Sequence, residues 1–216
     1  MNTDVMKILL SDNPGLKLGD RFLSNLSNLK FIELNNCNFT SLPDNLFSGS
    51  KNLTNVCLHH NSLETIPDSL FNGLNQLVEL DLSYNRLNRL SEANFASLTS
   101  LTVLKLHENK LTKLDSNVFK ELRALTLLDV HRNLIRDIDQ EAFDYVFKLK
   151  TIDLSHNQLY FVDYRRPLFS NTKYLEELNL SHNNLPVWDS DYMASSVNLK
   201  TVIVSYNAIT HLTVSF

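Results

Sequence analysis

The sequence is poor in glycine and cysteine, and these two shortages exclude several classes of protein. Only four glycines occur in the 216 residues, so the chain has no glycine-rich loop of the kind that binds a phosphate or a dinucleotide. Neither the metalloprotease motif H-E-x-x-H nor the nucleophile motif G-x-S-x-G occurs. Two cysteines are too few for a zinc ribbon or a dense disulfide framework. We therefore predict that the chain is not an enzyme and carries no cofactor.

Long apolar runs and blocks of like charge are also missing. No run approaches the roughly 18 apolar residues that cross a bilayer. The opening residues 1–10 lack the basic and apolar regions of a signal peptide. The net charge of −4, without a basic cluster, gives no attraction to nucleic acid or anionic lipid. The sequence therefore predicts neither a membrane span nor a nucleic-acid partner.

The chain does contain one pattern, L-x-x-L-x-L-x-x-N-x-L, which returns along its whole length. The asparagine position of the pattern is occupied in turn by Asn13, Cys37, Asn61, Asn85, Asn109, Asn133, Asn157, Asn183 and Asn207. The step between units is 24 residues, except for one step of 26. A second apolar column repeats with the same step and comprises Phe47, Phe71, Phe95, Phe119 and Phe143. Nine units in register identify a leucine-rich repeat array.

The spacing of these residues predicts the shape of each coil. In L-x-L the leucines alternate with outward side chains, as in a strand, and strands of successive coils would pair in parallel about 4.8 Å apart. The asparagine amide after the strand would hydrogen-bond backbone groups that cannot reach water. The sequence thus predicts an α/β solenoid, a right-handed leucine-rich repeat horseshoe with a parallel β-sheet on its concave face and nine repeats of the 24-residue type.

By this pattern residues 1–216 form a single array without a capping unit at either end. Solenoids normally close their ends with polar caps, whereas the first unit, with Val5 and Ile8, and the last both resemble interior coils. We therefore expect the chain to be a fragment of a longer array, or a truncated product. The unit between Asn157 and Asn183 has two extra residues around Tyr164–Pro167. We expect them to form a surface loop, a type of insertion that is often functional.

The outward residues of the strands, and of the turn that follows each strand, form columns on the predicted sheet. Six of the seven histidines fall in the two columns just before the asparagine, and adjacent coils would bring His107 and His131 within roughly 5 Å of each other. Three interpretations are open: ordinary polar strand edges, a surface that responds to pH, or a chelating pair. We assign no metal site. The surface mixes charged and aromatic residues, as protein-binding surfaces do. Its candidate ligand-binding residues are His59, Tyr84, His107, Glu108, His131 and Arg132.

Glycosylation sequons give evidence on the cellular location of the protein, and the positions of the two cysteines predict the state of their thiols. Four N-x-S/T sequons begin at Asn25, Asn38, Asn52 and Asn179. Together they favour a secreted or cell-surface protein, and a glycan at Asn179, an outward strand position, would cover part of the sheet. Cys37 takes an inward position and Cys57 an outward one, so the two cannot pair. We predict a buried Cys37 and a free, exposed thiol at Cys57.

These features give the chain a resemblance to the ectodomain of Toll-type receptors, most closely those of insects. The resemblance rests on Leu42-Pro-Asp-Asn-Leu-Phe47, on Ile66-Pro-Asp-Ser-Leu-Phe71 and on the irregular unit late in the array, from Leu159 to Asn184. It implies part of a single-pass receptor that binds a Spätzle-like cystine-knot cytokine and signals through a cytoplasmic TIR domain. This sequence lacks the cysteine-rich flanks, membrane span and TIR domain of that family, so it would bind ligand without signalling.

The resemblance and the sequons together imply a protein-binding fragment of an innate immune receptor, on the extracellular side of the plasma membrane. A receptor dimer is compatible with this interpretation. The alternative is a secreted or matrix leucine-rich repeat protein that acts in adhesion or as the scaffold of an immune complex. An intracellular scaffold would require the four sequons to be coincidental.

Overall fold

A computed structural model describes residues 4–19, 22–160, 168–193 and 195–213. One three-residue strand recurs in each repeat, and nine such strands form a single parallel sheet in chain order. They are β1 (Lys7–Leu9), β2 (Phe31–Glu33), β3 (Asn55–Cys57), β4 (Glu79–Asp81), β5 (Val103–Lys105), β7 (Leu127–Asp129), β9 (Thr151–Asp153), β10 (Glu177–Asn179) and β12 (Thr201–Ile203). The remaining strands are β6 (Lys113–Leu114), β8 (Asp137–Ile138), β11 (Val187–Asp189) and β13 (His211–Thr213).

In this nine-stranded sheet, the main sheet, neighbouring strands pair residues that are one repeat apart in the sequence. Leu80 lies opposite Leu104, and Leu104 opposite Leu128. The middle residue of every main-sheet strand from β2 to β10 is buried, as the period-two alternation predicts. The predicted fold class, a parallel-strand solenoid of the leucine-rich repeat horseshoe type, is therefore confirmed.

The longer unit keeps this register. Ile152 lies opposite Leu178, 26 residues further along the chain, just as the middle residues of the other strands lie opposite one another. The extra residues predicted around Tyr164–Pro167 fall in 161–167, outside the described residues. Their role as a surface loop therefore stays a prediction.

The segments that return from one strand to the next consist mostly of turns. Within the described ranges, the helices are α1 (Glu92–Phe95) and one 3-10 helix (Ser190–Met193). Short parallel ladders join β6 to β8 and β11 to β13. Each coil must close within its repeat and advance by only one strand spacing, so the return path is built from tight turns.

A column of stacked phenylalanines fills the return side of the core. Ring centroids lie 5.9 Å apart for Phe47 and Phe71, and 6.3 Å apart for Phe119 and Phe143. The column continues through the longer unit, where Phe169 stacks on Phe143 at 5.2 Å. All of these rings are buried. Offset-stacked pairs at such separations add to the stabilisation that apolar burial provides.

The predicted asparagine ladder is present and connects successive coils. The Asn109 Nδ2 donates to the carbonyls of Leu82 and Leu106, both at 3.0 Å, and its Oδ1 accepts the backbone N–H of Leu87 at 2.9 Å. The same arrangement recurs at Asn61, Asn85, Asn133, Asn157, Asn183 and Asn207. In the second unit the buried Cys37 thiol donates to the Leu10 carbonyl at 3.1 Å. The structural role of this column is therefore confirmed.

The two terminal coils are the most open parts of the array. The inward middle residue is only partly buried in β1, where it is Ile8, and is 37% exposed in β12, where it is Val202, whereas the middle residues of β2 to β10 in the main sheet are buried. No helix within the described ranges is both long and apolar enough to cross a membrane.

Candidate functional site

The outward side chains of the nine main-sheet strands, with those of the two residues that immediately precede each asparagine of the ladder, form a continuous surface that we call the sheet face. Within the strands this face carries an excess of negative charge. Its charged residues are six acidic ones, Glu33, Glu79, Asp81, Asp129, Asp153 and Glu177, and two basic ones, Lys7 and Lys105. A field of one sign on an open sheet favours a partner of opposite charge.

Lys105 is held near the middle of the sheet face by carboxylates of the preceding strand. Its Nζ lies 2.7 Å from Glu79 Oε1 and 3.8 Å from Asp81 Oδ2. The hydrogen bond to Glu79 raises the pKa of Lys105 above its usual range. One of the two basic strand residues is thus already paired within the protein. The acidic groups around it therefore dominate the charge of the sheet face.

A repeated turn fixes the acidic or amide side chain at the end of four strands. In each case the side-chain oxygen accepts the backbone N–H two residues later, as in an Asx turn. The pairs are Asp81 with Ser83, Asp129 with His131, Asp153 with Ser155, and Asn179 with Ser181. The turn holds these oxygens beside the column that contains His59, His107 and His131.

Asp129 lies between two imidazoles from neighbouring coils. Its Oδ1 is 2.6 Å from His131 Nδ1, and its Oδ2 is 3.0 Å from His107 Nδ1. The two rings stack with centroids 4.6 Å apart and an interplanar angle of 10°. All three side chains are partly buried. The predicted approach of His107 and His131 is confirmed, and a carboxylate joins them.

The electrostatics of this trio follow from its partial burial. The contact with Asp129 raises the pKa of His107, against the opposing effect of burial. Burial would raise the pKa of Asp129, but the contacts with the imidazoles of His107 and His131 outweigh it and hold that pKa below its usual value. The contacts therefore favour the charged forms of Asp129 and His107.

The residue just before each asparagine has a left-handed backbone. The φ angle is 53° at His60, 52° at Tyr84, 54° at Glu108 and 51° at Arg132. This conformation is uncommon for residues other than glycine, and here it makes the sharp turn out of the strand. Its side chains lie one above the other in successive coils. The stacked rings are His60 on Tyr84 at 4.1 Å, His156 on His182 at 4.0 Å and His182 on Tyr206 at 4.2 Å.

The structure brings all six candidate ligand-binding residues into one strip. His59 lies edge-on to His60 at 5.2 Å, and Tyr84 lies edge-on to His107 at 5.3 Å. The other contacts of the strip are the stack of His107 on His131, at 4.6 Å, and the ion pair of Arg132 with Glu108, at 3.3 Å. Ligand binding by this strip stays a prediction.

Two of the other sheet-face histidines have lowered pKa values. Burial lowers the pKa of His59. Burial, followed by the neighbouring His182, lowers the pKa of His156. The pKa values of His59 and His156 are therefore shifted in the opposite direction to that of His107.

Sequence reasoning missed the role of Asp129 as the link between the histidines. The signal was present, because Asp129 precedes His131 by two residues and so shares its face. It also lies one coil beyond His107, at the same end of the neighbouring strand. What the sequence reasoning did not predict is that Asp129 also contacts His107, the histidine of the preceding coil.

The two cysteines are both free, as predicted, but the expectation of an exposed thiol at Cys57 is wrong. Cys57 is half-buried between neighbouring strands, and burial, with Asp81 and Glu33 nearby, raises its pKa to about 11.

Among the sequons, Asn25, Asn38 and Asn52 are exposed. Asn179 is half-buried, and its Nδ2 donates to Asp153 Oδ2 at 3.2 Å. Glycosylation of the four stays a prediction.

Comparison with known families agrees with this architecture. The family described as leucine rich repeat matches residues 51–111 and 99–159, and a second leucine-rich repeat model matches residues 28–49 and 174–195. The chain belongs to the leucine-rich repeat family. No curated protein matches the sequence.

Among solved structures, the fold is similar to those of Toll-like receptor ectodomains. TLR13, in a complex with ssRNA13, has a TM-score of 0.84 and 23% identity over 98% of this chain and 32% of its own. Drosophila Toll, in a complex with Spätzle, has a TM-score of 0.65 and 24% identity in its glycosylated form, over 99% of this chain and 40% of its own. A second structure of that complex has a TM-score of 0.62 and 25% identity, over 99% and 39%. This chain thus spans about a third to two fifths of the receptors it matches.

Proposed function

We propose that this chain is a ligand-binding part of the extracellular region of a Toll-type innate immune receptor, and that its sheet face binds a protein ligand. The observation that carries the proposal is the sheet face itself, on which nine strands in register hold charged, imidazole and aromatic side chains. The similarity to Toll in its complex with Spätzle supports it. An extracellular location is supported by the four sequons. Membrane anchoring and receptor dimerisation belong to the same proposal.

The chemistry of the sheet face favours a ligand with basic groups. Six acidic strand residues stand against two basic ones, and one of the basic residues, Lys105, already pairs with Glu79. A basic ligand would meet complementary potential along several coils, which accelerates association and fixes its register. The face is open and its repeats are of a type that typically binds rather than catalyses, so we propose binding without a reaction.

A second candidate ligand is single-stranded RNA. The similarity to TLR13 extends over 98% of this chain, and the structure of TLR13 was solved in a complex with ssRNA13. The comparisons therefore do not support the expectation that nucleic acid is excluded. Stacked rings such as His60 and Tyr84 offer faces on which bases could stack. The negative sheet face opposes phosphate binding, so a protein ligand remains the first proposal.

The test measures binding of recombinant Spätzle and of a single-stranded RNA to the immobilised chain by biolayer interferometry. A double variant, Glu33→Lys with Glu177→Lys, reverses two charges of the sheet face. The matched control, Glu64→Lys with Glu141→Lys, makes the same charge change at exposed residues outside the main sheet. We expect the face variant to weaken Spätzle binding by about tenfold or more, because unfavourable charge juxtapositions at an interface cost several kcal/mol. The control should bind as the parent chain does.

Three results would count against the proposal. Equal losses in the two double variants would remove the sheet face as the binding surface. Saturable RNA binding without Spätzle binding would favour the second candidate. Absence of saturable binding to Spätzle would remove that cytokine as a ligand of this chain.

A further inference from the structure

We infer that His107, Asp129 and His131 form a binding site for a divalent transition metal ion, with zinc as the expected occupant. One nitrogen of each imidazole and one carboxylate oxygen lie within 4.8 Å of one another. Across residues 4–19, 22–160, 168–193 and 195–213, this is the one group of three metal-binding side chains so placed. The proposal concerns a site that is independent of the identity of the receptor's ligand.

An independent observation points to the same place. The Nδ1 of His107 is shielded from water and has no well-directed hydrogen bond, although Asp129 Oδ2 lies only 3.0 Å away. A shielded imidazole nitrogen without a good partner is costly. A metal ion bound between the imidazoles and the carboxylate would displace any proton on that nitrogen to solvent, take its lone pair and so satisfy it.

The geometry requires only local movement. An imidazole lone pair lies in the plane of its ring, and the two rings are nearly parallel at 10°. They must therefore rotate towards each other for their lone pairs to converge on one ion. Both rings are at the outer surface of the sheet, with the side chains of His107 and His131 at 16% and 26% exposure, so this rotation does not disturb the leucine core.

The donor set selects the type of ion. Two imidazole nitrogens and one carboxylate suit zinc, copper or nickel, whereas calcium and magnesium prefer sites made of oxygen alone. Three protein ligands leave the fourth position of a tetrahedral zinc site open to water or to a donor from a bound protein. The ion would also add positive charge to the middle of an acidic face.

A second stacked pair on the same face provides a matched control. His156 and His182 stack at 4.0 Å with an interplanar angle of 10°, much as His107 and His131 do. Among the residues that the structure describes, that pair does not belong to a cluster of three metal-binding side chains. Removing an imidazole from it therefore repeats the loss of a stacked histidine without removing a ligand.

The test is calorimetric titration of the whole chain with zinc chloride near neutral pH. We expect one ion per chain, bound with a Kd of about 1 µM. His107→Ala and Asp129→Asn should each weaken binding by about tenfold or more, since loss of a residue that merely hydrogen-bonds to a metal ligand already costs about 10–100-fold in affinity. The control His182→Ala should keep the parent affinity. Cys57→Ser should keep it too, because a thiol that stays protonated is a poor ligand.

Two further measurements distinguish the loss of a metal ligand from the loss of the folded structure. Far-ultraviolet circular dichroism reports whether each variant keeps its strands, and Asp129→Asn preserves shape and the acceptor for the backbone N–H of His131. The visible absorption of bound cobalt(II) reports nitrogen and oxygen coordination directly. Calcium in excess should not displace zinc. Absence of zinc binding, or affinities for folded His107→Ala and Asp129→Asn equal to that of the parent, would overturn the site, as would an equal loss in His182→Ala.

Discussion

Replacing Asn109 by leucine tests whether the asparagine column holds neighbouring coils together. The substitution removes four hydrogen bonds, but the groups left behind are not equally stranded. The carbonyl of His107 still accepts the backbone N–H of Tyr84 at 2.9 Å. The carbonyls of Leu82 and Leu106 keep the bonds they accept from Asn85 and Asn133, at 3.1 Å and 3.0 Å. The backbone N–H of Leu87, a fully buried residue, loses its side-chain acceptor.

The magnitude follows from this count. An unsatisfied buried N–H costs about 1–3 kcal/mol, and each weakened leucine carbonyl adds about 0.5 kcal/mol. We expect a loss of roughly 2–4 kcal/mol in the free energy of unfolding. For a chain of this length that corresponds to a fall of about 4–16 °C in Tm. Urea and thermal unfolding followed by circular dichroism would measure both quantities.

Asn13 provides the matched control. It occupies the same column in the first coil and is exposed, and within the described part of the chain its side chain donates to the Leu10 and Ser11 carbonyls of its own coil. Asn13→Leu should therefore cost less than about 1 kcal/mol. If Asn109→Leu costs no more than Asn13→Leu, the column does not connect the coils energetically, and the reasoning from hydrogen bonds is refuted.

Three more predictions concern the core, the histidine site and the thiol. Phe119→Ala should cost about 3–5 kcal/mol, because its buried ring leaves a cavity in the stacked column, and a loss in urea unfolding as small as that of a surface substitution would contradict this. The raised pKa of His107 adds stability that is complete below about pH 6.5 and is lost as pH rises through the raised value. The lowered pKa of Asp129 adds stability that is lost in acid, below about pH 4. The difference in unfolding free energy between the parent and His107→Gln should therefore be largest between those limits and shrink towards pH 8; a difference that does not vary with pH would count against the contact. Because the pKa of Cys57 is raised to about 11, Ellman's reagent at mildly alkaline pH should label it at least about tenfold more slowly than free cysteine, and labelling at an equal rate would show that burial does not protect it.

Much of the sheet-face site was predictable because the repeat converts sequence position into spatial position. Residues 24 apart become neighbours, so the approach of His107 and His131 followed from their column alone. The same rule placed Tyr84, Glu108 and Arg132 near them. The rule gives Cα positions, however, and says little about which way an outward side chain turns.

The sequence by itself determined the solenoid, the register of its nine strands and the inward column of asparagines. These depend on apolar periodicity and on buried polar groups that must be satisfied, and both are local properties of each repeat. Only the tertiary structure decided that Asp129 joins two imidazoles and that Cys57 is half-buried. These features depend on how side chains of adjacent coils share the space between strands, which no single repeat specifies.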